Sequence, residues 1–282
     1  MIRRVGVVGC GLMGAGIVEA AARSGYEVVV REINDALLAK GMGRLRGSLQ
    51  RGVERGKLDE AGRDAALSRI QGTTALADLA GVNLVVEAIL EQMDDKKALL
   101  RELDRLVAPE VVLASNTSSL SITEMAAATD RAERVVGLHF FNPVPVMPLV
   151  EIVRGLRTSD EVVGAMRGFA QSLGKTVVVA RDTPGFIVNR LLIPYLLDAI
   201  RALELGVASR EDIDSAITLG LGHPMGPLTL LDFVGLDTTY YIAEAMFAEF
   251  KDTRYASPPL LKQMVLAGWL GRKSKRGFYE YQ

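Results

Sequence analysis

Three features of the 282-residue chain predict an α/β fold: a doubly wound sheet domain followed by an all-helical C-terminal domain. Short β-branched runs alternate with helical patterns through the first part, a glycine-rich turn follows the first run, and the strand signals stop after Thr183-Pro184. The runs are VGVV (5–8), EVVV (27–30), LVVEAI (84–89), VVLAS (111–115), VVGLHF (135–140) and TVVVA (176–180). They are continuously apolar rather than alternating, as parallel strands covered on both faces are. The helical stretches between several of them complete a βαβ pattern. Beyond the boundary, residues 184–206 read as one long apolar helix, with Thr183 placed to cap it and Pro184 at its first position. The predicted domains are therefore 1–183 and 184–282. A chain that is 49% hydrophobic has the material for two cores.

Composition removes several classes of function. Lys and Arg total 33 against 34 Asp and Glu, so no global basic field favours nucleic acid or an anionic membrane, and neither is expected as a partner. One cysteine, Cys10, excludes an intramolecular disulfide, and with only two histidines there is no thiolate zinc cage, so no metal site is expected. The most apolar stretch, FIVNRLLIPYLLDAI, is broken by Asn189, Arg190 and Pro194 and is no membrane span. No leader-like segment precedes the glycine-rich motif, so the expectation is a soluble protein of the reducing cytoplasm.

The glycine-rich turn is Gly9-Cys10-Gly11-Leu12-Met13-Gly14. A lone GxGxxG says little, but this one follows a strand, opens a helix, and is succeeded by a second strand ending at Arg31-Glu32. That context is the Rossmann-like dinucleotide fingerprint. Gly9 permits the tight turn, Gly11 lets the backbone approach a pyrophosphate, and Gly14 lets helix and strand pack closely. The helix start offers N–H groups and a positive dipole end to the phosphates. Glu32 is placed to accept hydrogen bonds from the ribose hydroxyls and to repel a 2′-phosphate, which favours NAD over NADP. Arg31 pulls the other way, since arginine can serve a 2′-phosphate. Cys10 fills the turn; a reactive thiol is the alternative reading.

Alcohol oxidation needs a base near the hydroxyl, and imidazole titrates in the right range. His139 ends a strand in GLHFFNPVP, where sheets of this kind present ligands; His223 lies in a Gly/Pro turn. From spacing alone, either also fits a structural role. Glu151 lies in the apolar run LVEIV and needs a partner if buried, a histidine N–H or an arginine. Asn189 interrupts an apolar helix, which reads as buried and hydrogen-bonded, either for function or as a helix–helix contact. In ASNTSSLSI, Ser118 or Ser119 also fits as a cap for the following helix.

Taken together, GCGLMGAGI, VVEAILE, ASNTSSLSIT, GLHFFNPVPVMPLVE, DTPGFIVNRLLIPYL, LGHPMGPLTLLDFVGLD and GWLGRKSKRGFYEY resemble, in order and over nearly the whole chain, the single-function 3-hydroxyacyl-CoA dehydrogenases, including the bacterial 3-hydroxybutyryl-CoA type. The resemblance implies NAD as cofactor and an acyl-CoA thioester as substrate. It implies His139 as general base held by Glu151, and Ser118 and Asn189 as groups that orient substrate oxygens. It implies cofactor contacts from Glu91, Lys96, Ser118, Asn142 and, as a weaker match, Lys273. It also sets Ser48, Arg55 and Ser118 where the family meets CoA. Lys40, Arg44, Arg51 and Arg55 share one face of the helix after the second strand, which reads equally as solvated surface. Gly41, Gly43, Gly47 and Gly52 weaken that helix. The rival readings are a dehydrogenase of free hydroxy or sugar acids and a non-catalytic nucleotide-binding protein on the same scaffold. The apolar load after residue 184 and the resemblance both predict a homodimer through the helical domain.

The family usually carries Asp where this chain has Glu32, which keeps the acid. Replacing Glu32 by a small neutral residue is expected to narrow the preference for NADH over NADPH. A wild-type protein that already uses NADPH better contradicts this reading of Arg31-Glu32.

Overall fold

The computed structural model describes residues 2–282. The chain divides into two compact units, Met1–Thr183 and Pro184–Gln282. The first is an eight-stranded sheet in the order β3-β2-β1-β4-β5-β6-β7-β8. Its strands are β1 (Arg4–Val8), β2 (Glu27–Arg31), β3 (Ile70–Thr73), β4 (Leu84–Glu87), β5 (Val112–Ser115), β6 (Val135–Phe140), β7 (Leu149–Arg154) and β8 (Thr176–Arg181). Its helices are α1 (Leu12–Arg23), α2 (Asp35–Glu54), α3 (Glu60–Ser68), α4 (Met93–Leu106), α5 (Ile122–Ala126) and α6 (Asp160–Ser172). Strands β4, β5 and β6 have no exposed residue, as their unbroken apolar runs require.

Two features of the sheet depart from the sequence reading. IQGT forms a strand, β3, at the sheet edge, too short and too polar to announce itself. And β7 runs antiparallel to β6, although every other neighbouring pair is parallel. The connection from Phe141 to Pro148 holds no crossover helix, so the chain can only turn back on itself.

Helix α2 is continuous despite its four glycines. Asn34 caps it by accepting from the Leu37 amide at 2.9 Å. Leu45 and Leu49 are wholly buried and Leu38 and Met42 pack beside them, so tertiary burial outweighs weak helix propensity. Gly41 has a packing reason: a Cβ there would lie 2.5 Å from Cys10 Sγ and 2.6 Å from the Cys10 carbonyl oxygen.

The second unit is helical: α7 (Val188–Glu204), α8 (Arg210–Leu221), α9 (Pro227–Val234), α10 (Leu236–Phe250) and α11 (Pro259–Leu266). The expected cap at Thr183 and first position at Pro184 do not occur. Gly185 at φ 79 and Phe186 at φ 47 place left-handed backbone after Pro184, and the helix starts only at Val188. Two carboxylates tie the rest together. Asp214 accepts from the Leu228 and Thr229 amides at 2.8 and 2.9 Å and from Tyr279 Oη at 3.0 Å. Asp232 accepts from the Phe278 and Tyr279 amides and from Tyr281 Oη, each at 2.9 Å, which docks the chain's last residues on α9. Burial pushes the Asp232 carboxyl up, and these three donors pull it part of the way back. No helix among the described residues is long and apolar enough to cross a membrane.

The α2 glycines give a paired test of packing against propensity. Gly43→Ala meets nothing within 4 Å and is expected to stabilise the protein by about 0.5–1 kcal/mol. Gly41→Ala gains the same propensity but overpacks onto Cys10, at about 1–3 kcal/mol, and is expected to lower Tm. A Gly41→Ala protein that melts above the parent contradicts the close approach.

Candidate active site

The sheet order reverses at the adjacent strands β1 and β4, and the glycine-rich turn lies at their carboxyl ends. Gly9 sits at φ 95, with its amide donating to the Arg31 carbonyl at 2.9 Å. A Cβ at Gly9 would lie 2.6 Å from the Ala88 carbonyl oxygen, and one at Gly14 would lie 1.8 Å from that of Gly9. A Cβ at Gly11 would meet nothing within 4 Å. Thus Gly9 and Gly14 close the turn against the sheet, while Gly11 faces open space. No side chain caps α1 and no acid sits in its first turn, so its start at Leu12 and Met13 keeps a positive dipole end. Glu32, at the end of β2, accepts from the Cys10 amide at 2.6 Å and the Ile33 amide at 3.1 Å. Arg44 of α2 donates to the Cys10 carbonyl at 3.2 Å, so the peptide units around Cys10 are clamped from both sides. An open Gly11, an uncapped helix start and an acid beside them fit a dinucleotide.

Cys10 is buried, and burial and then the Glu32 charge push its thiol up to about 11. At neutral pH it is a protonated thiol within the turn, which closes the reactive-thiol alternative.

A second cluster stands at the ends of β4 and β5. Glu87 and Lys96 are both fully buried, with Nζ to Oε1 at 2.6 Å. Glu87 also accepts from Ser115 Oγ at 2.6 Å and the Ile89 amide at 2.7 Å. Lys96 reaches Glu91 Oε2 at 3.3 Å. The other Glu91 oxygen, Oε1, accepts from Thr117 Oγ1 at 2.5 Å, the Ser118 amide at 2.9 Å and Ser118 Oγ at 3.3 Å. Lys96, expected to meet the cofactor, is enclosed between two carboxylates. The helix after this loop, α5, is capped by Ser121, which accepts from the Glu124 amide at 3.2 Å; neither Ser118 nor Ser119 does this.

Histidine and carboxylate meet on the neighbouring strands β6 and β7. The antiparallel register pairs His139 of β6 directly with Glu151 of β7. The imidazole Nδ1 lies 2.7 Å from Glu151 Oε2, with His139 7% exposed and Glu151 fully buried. A ring that donates from Nδ1 to the carboxylate carries its proton there, which makes Nε2 the unprotonated nitrogen of that tautomer. The Phe141 ring lies at 4.5 Å from the imidazole, centroid to centroid. Phe140 donates its amide to Asn116 Oδ1 at 2.9 Å, which ties the end of β6 to the loop that carries Ser118. The following loop bears Asn142, which is exposed. Lys175 holds that loop from beneath, donating to the Val144 and Met147 carbonyls at 2.6 and 2.8 Å.

The remaining expected residues are carried by other elements. Ser48 is half-buried on α2 and Arg55 is exposed at its end; Arg44 turns from the basic face to Cys10, while Lys40, Arg51 and Arg55 stay exposed. In the second unit, Asn189 is half-buried in the first turn of α7 rather than fully buried. Lys273 is exposed and paired with Asp237 at 2.5 Å. His223 is exposed, with Nδ1 3.5 Å from Tyr195 Oη and no carboxylate partner like that of His139. The sequence reading passed over Glu87, Asn116 and Thr117, and it set Arg44 on a basic face without its contact to Cys10. Glu87 carried a usable signal, an acid inside the apolar run LVVEAI.

A dinucleotide-fitting crevice and a carboxylate-held histidine in one sheet define the nicotinamide-dependent dehydrogenase class. Residues 4–183 match the 3-hydroxyacyl-CoA dehydrogenase NAD-binding domain, and residues 185–281 match the C-terminal domain of the same family. This chain belongs to the 3-hydroxyacyl-CoA dehydrogenase family. It is 54% identical over 282 residues to a 3-hydroxybutyryl-CoA dehydrogenase of Mycobacterium tuberculosis, covering 99% of both chains. Its fold matches the crystal structure of M. tuberculosis FadB2 with a TM-score of 0.98 at 54% identity, over 100% of this chain and 99% of that one. It matches (S)-3-hydroxybutyryl-CoA dehydrogenase PaaH1 of Ralstonia eutropha with a TM-score of 0.96 at 46% identity, over 100% of both chains.

Proposed function

We propose that this protein interconverts (3S)-3-hydroxyacyl-CoA and 3-oxoacyl-CoA with NAD, and that its substrates are short, of the 3-hydroxybutyryl-CoA and acetoacetyl-CoA kind. The observation that carries the reading is the His139–Glu151 pair, 2.7 Å apart and shielded from water, with Nδ1 held on the carboxylate and Nε2 assigned to the proton transfer. Full-length similarity to 3-hydroxybutyryl-CoA dehydrogenases supports the substrate class.

In oxidation, Nε2 of His139 accepts the 3-hydroxyl proton as the C3–O bond becomes a carbonyl and hydride leaves C3. Bound NAD supplies the hydride acceptor, and NADH the donor in the reverse direction. Glu151 stabilises the imidazolium that forms and fixes the ring tautomer, as the acid of a catalytic triad does. In reduction, protonated His139 returns its proton to the 3-oxo oxygen. Ser118 and Asn189 are assigned to orient the substrate oxygens. Gly9, Gly11, Leu12, Met13, Gly14 and Glu32 are assigned to the adenosine and pyrophosphate of the dinucleotide, and Glu91, Asn142 and Lys273 to the rest of it, with Ser118 bordering both ligands. Lys96 serves that end through Glu91. Ser48 and Arg55 are assigned to CoA.

We further assign the second unit to dimerisation and the protein to the cytoplasm. Leu191, Leu205, Val207, Leu219, Leu221 and Tyr241 are all exposed on that unit, apolar side chains that a subunit interface would cover. Sedimentation at micromolar concentration is expected to give a dimer; a monomer contradicts the assignment.

The chemistry is tested by substitution at the histidine pair. His139→Gln is expected to lower kcat with acetoacetyl-CoA and NADH by roughly 10²–10⁴-fold, while NADH still binds. Glu151→Gln is expected to lower kcat as well, with losses that combine to less than their product because the two act as a unit. His223→Gln is expected to keep near-normal kcat. A His139→Gln enzyme at near wild-type kcat overturns the assignment.

A further inference from the structure

The Glu87–Lys96 pair is unusual in being wholly shut off from water at the edge of a ligand crevice. Burying two ions costs several kcal/mol each, and an apolar pair of similar volume is commonly as stable or more so. Fold stability alone therefore gives little reason for the charges, and their connections point to a reason in the loops beside them. Glu87 is the fixed end. It lies in β4, in register with Ser115 of β5, and its carboxylate takes donors from Ile89, Ser115 and Lys96 at 2.6–2.7 Å. Lys96 passes that fixed position outward to Glu91 at 3.3 Å. Glu91 in turn holds both the amide and the hydroxyl of Ser118 on a single oxygen. Ser118 itself belongs to no strand or helix. The far end of its loop is pinned separately: Asp182 accepts from Ser121 Oγ and from the Ile122 and Thr123 amides at 2.7–3.0 Å. The near end hangs on Glu91 and on the Asn116 contacts with β4 and β6.

We propose that Glu87 is a positioning residue for the reaction: its buried charge fixes the Lys96 ammonium between two carboxylates, and Glu91, so held, presents Ser118 to the substrate. The inference rests on the assignment of Ser118 to the substrate oxygens. Without the Glu87 charge, Lys96 is drawn wholly to Glu91, whose grip on Ser118 then shifts. Displacements of about 1 Å in a positioning group can cost as much as 10²-fold in rate.

Glu87→Gln isolates the charge, because the amide keeps the shape, one oxygen for Ile89 and Lys96, and a nitrogen that Ser115 Oγ can accept. At saturating NADH and acetoacetyl-CoA, Glu87→Gln is expected to lower kcat roughly 10–100-fold. In a Ser118→Ala background the same substitution is expected to cost nothing further, a coupling that a general loss of stability does not produce. Wild-type kcat in Glu87→Gln, or losses that multiply in the double variant, overturn the proposal while leaving Ser118 in its role. Wild-type kcat in Ser118→Ala removes the Ser118 assignment first and the proposal with it. Should Glu87→Gln not accumulate as folded protein, Glu87→Gln/Lys96→Met removes both charges and is read in the same way. A kcat loss absorbed by Ser118→Ala supports the proposal, and wild-type kcat or a multiplying loss contradicts it.

Discussion

The antiparallel pairing of β6 with β7 is the constraint on which the proposed chemistry rests. In a wholly parallel sheet, a strand following β6 would have to begin again at the opposite edge, after a crossover. Here the chain turns back directly, and register sets Glu151 across from His139. A directly opposed pair brings two side chains of one face within hydrogen-bond reach without help from a loop. A one-residue slip would put Glu151 on the other face of the sheet, and the pair would be lost outright. The apolar residues of β6 and β7 oppose such a slip, since Leu138, Phe140, Val150 and Ile152 are all buried in the same core.

Buried and half-buried carboxylates serve as joints throughout the first unit. Glu87 joins β4 to β5 and α4, Asp182 joins the end of β8 to the start of α5, and Glu151 joins β7 to the imidazole. Each meets donors at hydrogen-bond distance, which is what makes a charge tolerable away from water. Arg131 is the cationic counterpart: it pairs with Asp104 and donates to the carbonyls of Asp104, Val107 and Ala108, closing the end of α4. Polar pairing of this kind is directional, so it fixes loop positions that apolar contact alone would leave adjustable.

The fold was legible in the sequence wherever a run of apolar residues was long enough to state its own burial, as in VGVV, LVVE and VVGLHF. It was not legible for β3, where IQGT becomes a strand because β2 offers it an edge, nor for the strand direction of β7, which depends on a connection rather than on composition. Thr183-Pro184 carried the residues of a helix start, but Gly185 and Phe186 turn the chain through left-handed backbone first. At the candidate site, His139 and Glu151 could be read as chemistry-bearing groups, and the family resemblance implied their pairing; the register that brings them together is a property of the sheet. Glu87 was hidden differently. A strand acid among valines looks like a tolerated exception until Lys96, nine residues along the chain, is seen to share its cavity.

In the proposed reaction Nε2 of His139, with Nδ1 held on Glu151, exchanges the proton of the substrate's 3-oxygen. A crystal structure of the protein with NAD and acetoacetyl-CoA tests it most directly. Nε2 is expected within about 3 Å of the 3-oxo oxygen, with the Nδ1–Glu151 contact intact. A 3-oxo oxygen held by some other acid, with the His139 ring turned away from it, would rule out His139 as the acid–base.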